Sequence, residues 1–420
     1  MFKKIAGTIG TRFLATLITF IIVLTNTHFL GAANFGTINL IILAIALIQL
    51  LNNFVGGSAL VYLVPREDLL RLYIPSVLWS AFISVSGVLL LWLLKLIPEG
   101  YTFHVMALSL IYSFLSVNLM VLLGKEWIHS YNLITLLQTV CLLTVLIIFI
   151  FLLNERTVMS YINGLYVSYI LAFILSMIKV FPWLHKGSLK GTFNVIKKII
   201  HYGSVMQTGN IIQLLNYRLS YYFIEMFFGR ASVGIYSAGV QLSECIWLIP
   251  KSISMVQYSR LSNEGDKDYA LRTTLSFLKV SILITLFALI VILLIPNSFL
   301  VFLFGKEFGG VKLVMISLAA GILVFTISII LSPFFSGQGK PIHNTISAAA
   351  GLVFTVAGSL ILLPRIGIAG AGITASISYF ASTLYQWIVF RKFTRFRIRD
   401  LVVTREEVSL LFREISRLFK

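Results

Sequence analysis

The sequence predicts an all-α polytopic membrane protein of about twelve transmembrane helices in two six-helix lobes. Three observations carry that expectation. Of 420 residues, 58% are hydrophobic and only 11% charged, far from the usage of water-soluble domains. The apolar residues form continuous runs of roughly 20, long enough to cross about 30 Å of hydrocarbon, whereas a β-barrel strand would alternate over about ten. The basic residues between the runs favour every second connector, the positive-inside pattern of multi-pass proteins.

In order, the spans fall at 12–30, 35–63, 73–94, 102–124, 132–153, 158–182, 200–228, 231–258, 273–295, 312–335, 341–363 and 367–390. The amino-terminal MFKKIAGTIGTRFLATLITFIIVL looks like a signal peptide, but its apolar run is too long and a second follows closely, so it reads as a retained first helix. With both termini cytoplasmic, one set of connectors carries Lys3, Lys4, Arg66, Arg71, Lys125, Lys186, Lys190, Lys197, Lys198, Arg260, Lys267, Arg272 and Lys340. The other holds only Lys95, Arg156, Arg230, Lys306 and Arg365. That bias accounts for the net charge of +18 without nucleic acid as a partner.

The expected organisation is an amino-terminal lobe (1–182), a basic cytoplasmic linker on the membrane surface (183–199), a second lobe (200–391) and a basic amphipathic tail (392–420). The lobes look like repeats. GAANFGTI from Gly31 and GRASVGIY from Gly229 share one Gly-to-Gly spacing, and each follows the first helix of its half. Glycine suits the tight turn expected there between long helices. Six helices per half make the repeats parallel, an arrangement found in transporters that alternate access to a central cavity.

Charge inside the spans points to what that cavity holds. On a helical wheel of about 100° per residue, Gln207, Asn210, Arg218, Tyr221 and Glu225 share a quarter of the seventh helix, and Asn216 points away. Thr8, Arg12, Thr16, Thr19 and Asn26 form a stripe on the first helix; Ser237, Glu244 and Lys251 form one on the eighth. An ionised side chain at mid-bilayer costs a few kcal/mol or more, so these groups should face protein or water. Mutual pairing, Arg218 with Glu244 for instance, is the bland account of any single residue; a hydrated cavity covers all three stripes. Arginine suits an anionic substrate, because its planar fork matches phosphate and stays protonated. The substrate-contacting candidates are therefore Arg12, Gln207, Asn210, Arg218 and Tyr221. Glu225 and Glu244 are candidates for coupling to protons or sodium, and Lys251, near a helix end, is a weaker cavity residue.

Enzyme signatures are missing: the sequence has no HExxH, GxSxG, P-loop or paired CxxC. Cys141 and Cys245 lie singly in apolar runs and read as small core residues with no metal or disulfide role. No cofactor is expected.

Several stretches together resemble the polysaccharide repeat-unit flippases of the multidrug/oligosaccharidyl-lipid/polysaccharide exporter superfamily. They are FLGAANFGTINLI, YRLSYYFIEMFFGRASVGIYSAGVQLSECIWLIPKSI, FGKEFGGVKLVMISLAAGIL, FFSGQGKP and LLPRIGIAGAGITASISY, in that order over nearly the whole chain. The resemblance implies a MATE-like fold of two lobes around a cavity. It also implies an undecaprenyl-pyrophosphate-linked oligosaccharide as substrate, turned across the bacterial cytoplasmic membrane for O-antigen, capsule or exopolysaccharide synthesis. A polysaccharide polymerase and a chain-length regulator would then be partners. Arg218 matches a family arginine usually preceded by an acid; here Tyr217 precedes it, which shifts the acid's role, to Glu225 for example. Rival readings are a multidrug/cation antiporter of the same superfamily, a peptidoglycan-precursor flippase, and a membrane polysaccharide polymerase. Cationic Arg12 and Arg218 weigh against the first, the helix count against the second, and the short outer loops against the third.

Overall fold

A computed structural model describes residues 2–184, 192–263 and 267–394. Within them the side chains at 2–9, 12, 58, 193–194, 201–206, 259–260, 262–263 and 267 are not described. The expected amphipathic tail and part of the linker lie outside the described residues.

Every regular element among the described residues is helical. In chain order these are α1 (Phe2–Gly56), α2 (Ser58–Leu63), α3 (Leu69–Leu93), α4 (Thr102–Gly124), α5 (Ile128–Ile147), α6 (Val158–Leu184) and α7 (Thr192–Glu244). They continue as α8 (Leu248–Asn263), α9 (Lys267–Leu294), α10 (Asn297–Phe304), α11 (Val311–Gly337), α12 (Ile342–Ile361), α13 (Leu363–Ile366) and α14 (Ile368–Thr394). One π-helical turn, Ile148–Leu152, extends α5, and a tight turn, Cys245–Trp247, joins α7 to α8.

At 55 and 53 residues, α1 and α7 are far too long for one crossing at about 1.5 Å per residue. Each breaks at one residue. Gly31 adopts φ 81°, ψ 172° and Gly229 adopts φ 76°, ψ 177°, the same left-handed conformation at equivalent points of the two halves. A side chain would be strained there, so glycine is required. Split at these breaks, α1 and α7 each hold one expected span and the start of the next. The second expected span runs on into α2, the eighth is interrupted at Cys245–Trp247 and ends in α8, and the other predicted spans coincide with α3–α6, α9, α11, α12 and α14. Among the described residues eight helical stretches are long and apolar enough to cross a membrane, the first of them, Phe13–Leu63, running through the Gly31 break.

The structure corrects one part of the sequence reading. The second glycine of each repeat, Gly36 or Gly234, is not in a turn but inside a helix, where it serves close approach. A Cβ on Gly36 would strike the carbonyl oxygen of Arg230, and one on Gly234 would strike that of Ala32. The junctions thus pack on each other reciprocally, backbone against backbone.

The polarity of the surface is that of a lipid-embedded protein. Leu152 is 76% exposed, and Leu294 and Phe302 are each 75% exposed, while serine, threonine, asparagine and glutamine fill buried positions. In lipid an apolar exterior costs nothing, and small polar residues let helices approach and hydrogen-bond. The chain is a multi-pass membrane protein.

It divides into two compact units. The first comprises Met1–Leu214, Ile224–Ala238 and Leu300–Gly309; the second comprises Leu215–Phe223, Gly239–Phe299 and Gly310–Lys420. In the first, Ile38, Ile41, Ile45 and Ile48 of α1 pack in one core with Ile83 of α3, Leu108 of α4 and Ile162 of α6. Hydrogen bonds then fix register: Ser80 donates to Asn52 at 2.7 Å, Tyr73 to Asn118 at 2.8 Å, and Asn118 to Ser176 at 3.0 Å.

In the second unit Asn216 is the corresponding clasp. Its side-chain oxygen Oδ1 accepts from Thr355 of α12 at 2.8 Å and Ser378 of α14 at 2.5 Å. Gly351 makes room for it, since a Cβ there would lie 2.5 Å from the Asn216 amide nitrogen. Gly351→Val should therefore destabilise the second unit by about 1–3 kcal/mol through overpacking. A lowered thermal unfolding midpoint in detergent checks this; an unchanged midpoint would refute the packing.

Candidate functional site

The strongest electrostatic feature among the described residues lies where α7 carries two charges 26 positions apart. Arg218 sits before the Gly229 break and Glu244 at the end of α7, so the reversal of the chain brings them together. The guanidinium donates from Nη1 to Oε1 at 2.9 Å and from Nη2 to Oε2 at 2.6 Å. This is a bidentate fork, the strong form of the arginine–carboxylate contact. The side chains are 22% and 16% exposed, so neither charge is sealed away.

The surroundings hold the guanidinium in place. Its carbon lies 5.5 Å from the centroid of the Tyr221 ring, within cation–π range, and Tyr221 is 3% exposed. One residue before Arg218, Tyr217 meets Phe325 and Tyr379 edge-on, at 5.7 and 5.9 Å between centroids. Trp247, fully buried, completes this aromatic group and donates its indole N–H to the Ile322 carbonyl at 3.0 Å. Asn216, two residues before Arg218, is tied to α12 and α14 as described. Arginine is thus presented from a stretch anchored by hydrogen bonds and aromatic packing.

The remaining sequence candidates are distributed as follows. Gln207 is 3% exposed and accepts a hydrogen bond from exposed Asn210 at 3.1 Å. Glu225 pairs with Arg230 across the Gly229 break at 3.3 Å, with side chains 25% and 39% exposed. So loose a pair contributes at most about 1 kcal/mol. Lys251 is exposed, with its ammonium 5.4 Å from the Trp247 ring centroid. Arg12 lies in α1, but its side chain is outside the described residues. Cys141 and Cys245 are both free and half-buried.

Two charged residues escaped sequence reasoning. Lys279 of α9 is only 8% exposed within an apolar helix. It was not singled out in the sequence reading. Glu307 follows α10 and its carboxylate accepts from the Ala32 N–H at 2.6 Å. Nothing in a sequence separation of 275 residues announces that contact.

These features define a polytopic helical membrane protein of the multidrug-exporter type of fold. Over 91% of the chain it superposes on an inward-facing multidrug-resistance MATE transporter of the MOP superfamily, with a TM-score of 0.75 and 15% identity, covering 94% of that chain. The lipid II flippase MurJ in an inward closed conformation matches 96% of the chain and 89% of its own, with a TM-score of 0.73 and 15% identity. In sequence, the capsular polysaccharide biosynthesis protein CapF of Staphylococcus aureus is 26% identical over 172 residues, 40% of this chain and 43% of its own length. A putative O-antigen transporter of Shigella flexneri is 23% identical over 273 residues, 64% of this chain and 65% of its own. The chain therefore matches less than two thirds of the length of these curated relatives. No family profile matches it. The MATE-like fold is borne out, as is the resemblance to the exporter and flippase superfamily, and the two matched structures are a transporter and a flippase.

Proposed function

We propose that the protein is a flippase that carries a diphosphate-linked lipid oligosaccharide, of the undecaprenyl-pyrophosphate type, across the bacterial cytoplasmic membrane by alternating access. The supporting observation is the Arg218–Glu244 fork. Glu244 presents to Arg218 the paired oxygens that a phosphate would present. The pair is neutral overall, which lowers the cost of keeping a guanidinium at membrane depth while no substrate is bound. An incoming diphosphate competes for the same two N–H donors and frees the carboxylate to take a proton or a sodium ion. Arg12 on the first helix would meet the same anionic head, and Gln207 and Asn210 would serve the sugars. In this reading both termini lie in the cytoplasm, and a polymerase and a chain-length regulator act on the product.

The relatives favour this reading over drug export, since one is named for capsule biosynthesis and another as an O-antigen transporter. A strain lacking its own repeat-unit flippase tests it. Expression of this chain should restore surface polysaccharide, and failure with several different repeat units, despite correct insertion, would refute the assignment. Glu244→Gln removes the charge while keeping one acceptor oxygen. Transport by that variant should lose its dependence on the proton or sodium gradient; an unchanged dependence would remove Glu244 from the coupling role.

A further inference from the structure

The two Gly-to-Gly junctions meet, yet they are not equivalent. Gly31 and Gly229 share a conformation, and each is followed by a helix whose first N–H groups have no partner within the helix. At Gly229 a Cβ would meet nothing within 4 Å. At Gly31 it would lie 3.0 Å from Glu307 Oε2, and the same oxygen accepts the Ala32 N–H at 2.6 Å. One junction is capped by a carboxylate and the other is open.

The capping residue comes from the other half of the sequence. Glu307 belongs to Leu300–Gly309, a strap packed in the first unit although the chain on either side of it belongs to the second. Phe304 and Phe308, both fully buried, hold the strap down, and Phe308 meets Phe35 edge-on at 6.2 Å. Beside it, Gly36 and Gly234 bring backbone against backbone. At these two glycines the helices thus meet backbone to backbone, and the strap adds a charged bond to the first junction.

We propose that Glu307 is a closed-state latch. Its carboxylate caps the helix starting at Ala32 only while the two junctions are together, and it releases that helix whenever they part during the transport cycle. Carboxylates at helix N-termini are stabilised both by the free N–H groups and by the helix dipole, so one bond weights the closed state strongly. The inference rests on the alternating-access reading but not on the identity of the substrate.

Ser237 provides the reporter. It is fully buried, lies one turn beyond Gly234 on the same face of α7, and differs from cysteine by one atom. In full-length protein with Cys141→Ser and Cys245→Ser, Ser237→Cys is exposed in intact cells to a membrane-impermeant maleimide. With Glu307 present, labelling should be slow. Glu307→Ala should raise the rate at least about tenfold, as expected when a charge-assisted hydrogen bond is removed from one of two states. Glu307→Gln keeps an acceptor oxygen without the charge and should fall between; it carries the test if the alanine variant fails to fold. Equal or slower labelling in a variant that elutes as a folded monodisperse protein overturns the latch. Faster labelling with no transport of any lipid-linked glycan would count against the proposed substrate and leave the latch standing.

Discussion

Replacing Arg218 by alanine should abolish export of the lipid-linked glycan while the protein still reaches the membrane. The variant removes two charge-assisted hydrogen bonds to any bound diphosphate, a loss of about 100-fold or more in affinity. It also strands Glu244, now an unpaired carboxylate at 16% exposure. Removing one partner of a buried pair costs about 3–5 kcal/mol at the extreme, and less here because both groups keep some contact with their surroundings. Loss of stability and loss of function would therefore be confounded in the single variant. The double variant Arg218→Ala/Glu244→Gln separates them. It should recover most of the thermal stability, since no charge is left alone, yet remain inactive. Recovery of transport along with stability would mean that the pair only fastens helices.

A side chain at the junction should have the second-largest effect. Gly36→Val places a branched carbon into the Arg230 carbonyl, and because the clash is with backbone no side chain can turn aside to relieve it. The closed contact should be weakened by about 1–3 kcal/mol or more, enough to shift a two-state equilibrium by one to two orders of magnitude. The Ser237→Cys reporter should then label rapidly, and the purified variant should unfold at a lower temperature. Gly31→Ala acts differently. It strains one residue with φ near 81° and weakens the break itself, at about 1–2 kcal/mol. If Gly36→Val labels no faster than the parent, the reciprocal packing is incidental.

Much of this was legible in the chain. The all-helical, membrane-spanning architecture followed from hydropathy because lipid tolerates no alternative to a satisfied helix, and the repeat was visible in Gly31, Gly36, Gly229 and Gly234. The Arg218–Glu244 contact was nameable, because few charges lie at that depth. What sequence could not supply was the division of labour within the repeat. Gly31 serves a backbone angle and Gly36 a close approach, and identical letters conceal that difference. Helical periodicity also grouped Glu225 with Arg218, since both share a face; the structure instead ties Glu225 to Arg230, five residues on. Asn216 was read as pointing away from the polar face, and it does so to become a clasp on α12 and α14. Glu307 was invisible for a simpler reason. Its partner is a backbone N–H, which every residue but proline carries.

The central claim is that Arg218 recognises the anionic head of a lipid-linked sugar. Purified protein in liposomes, supplied with fluorescent polyprenyl glycans bearing a diphosphate, a monophosphate or no phosphate, tests it most directly. Flipping should be fastest for the diphosphate, weaker for the monophosphate and absent for the neutral lipid, and Arg218→Ala/Glu244→Gln should erase the difference. Equal flipping of all three lipids, or a diphosphate preference that survives in the double variant, would contradict it.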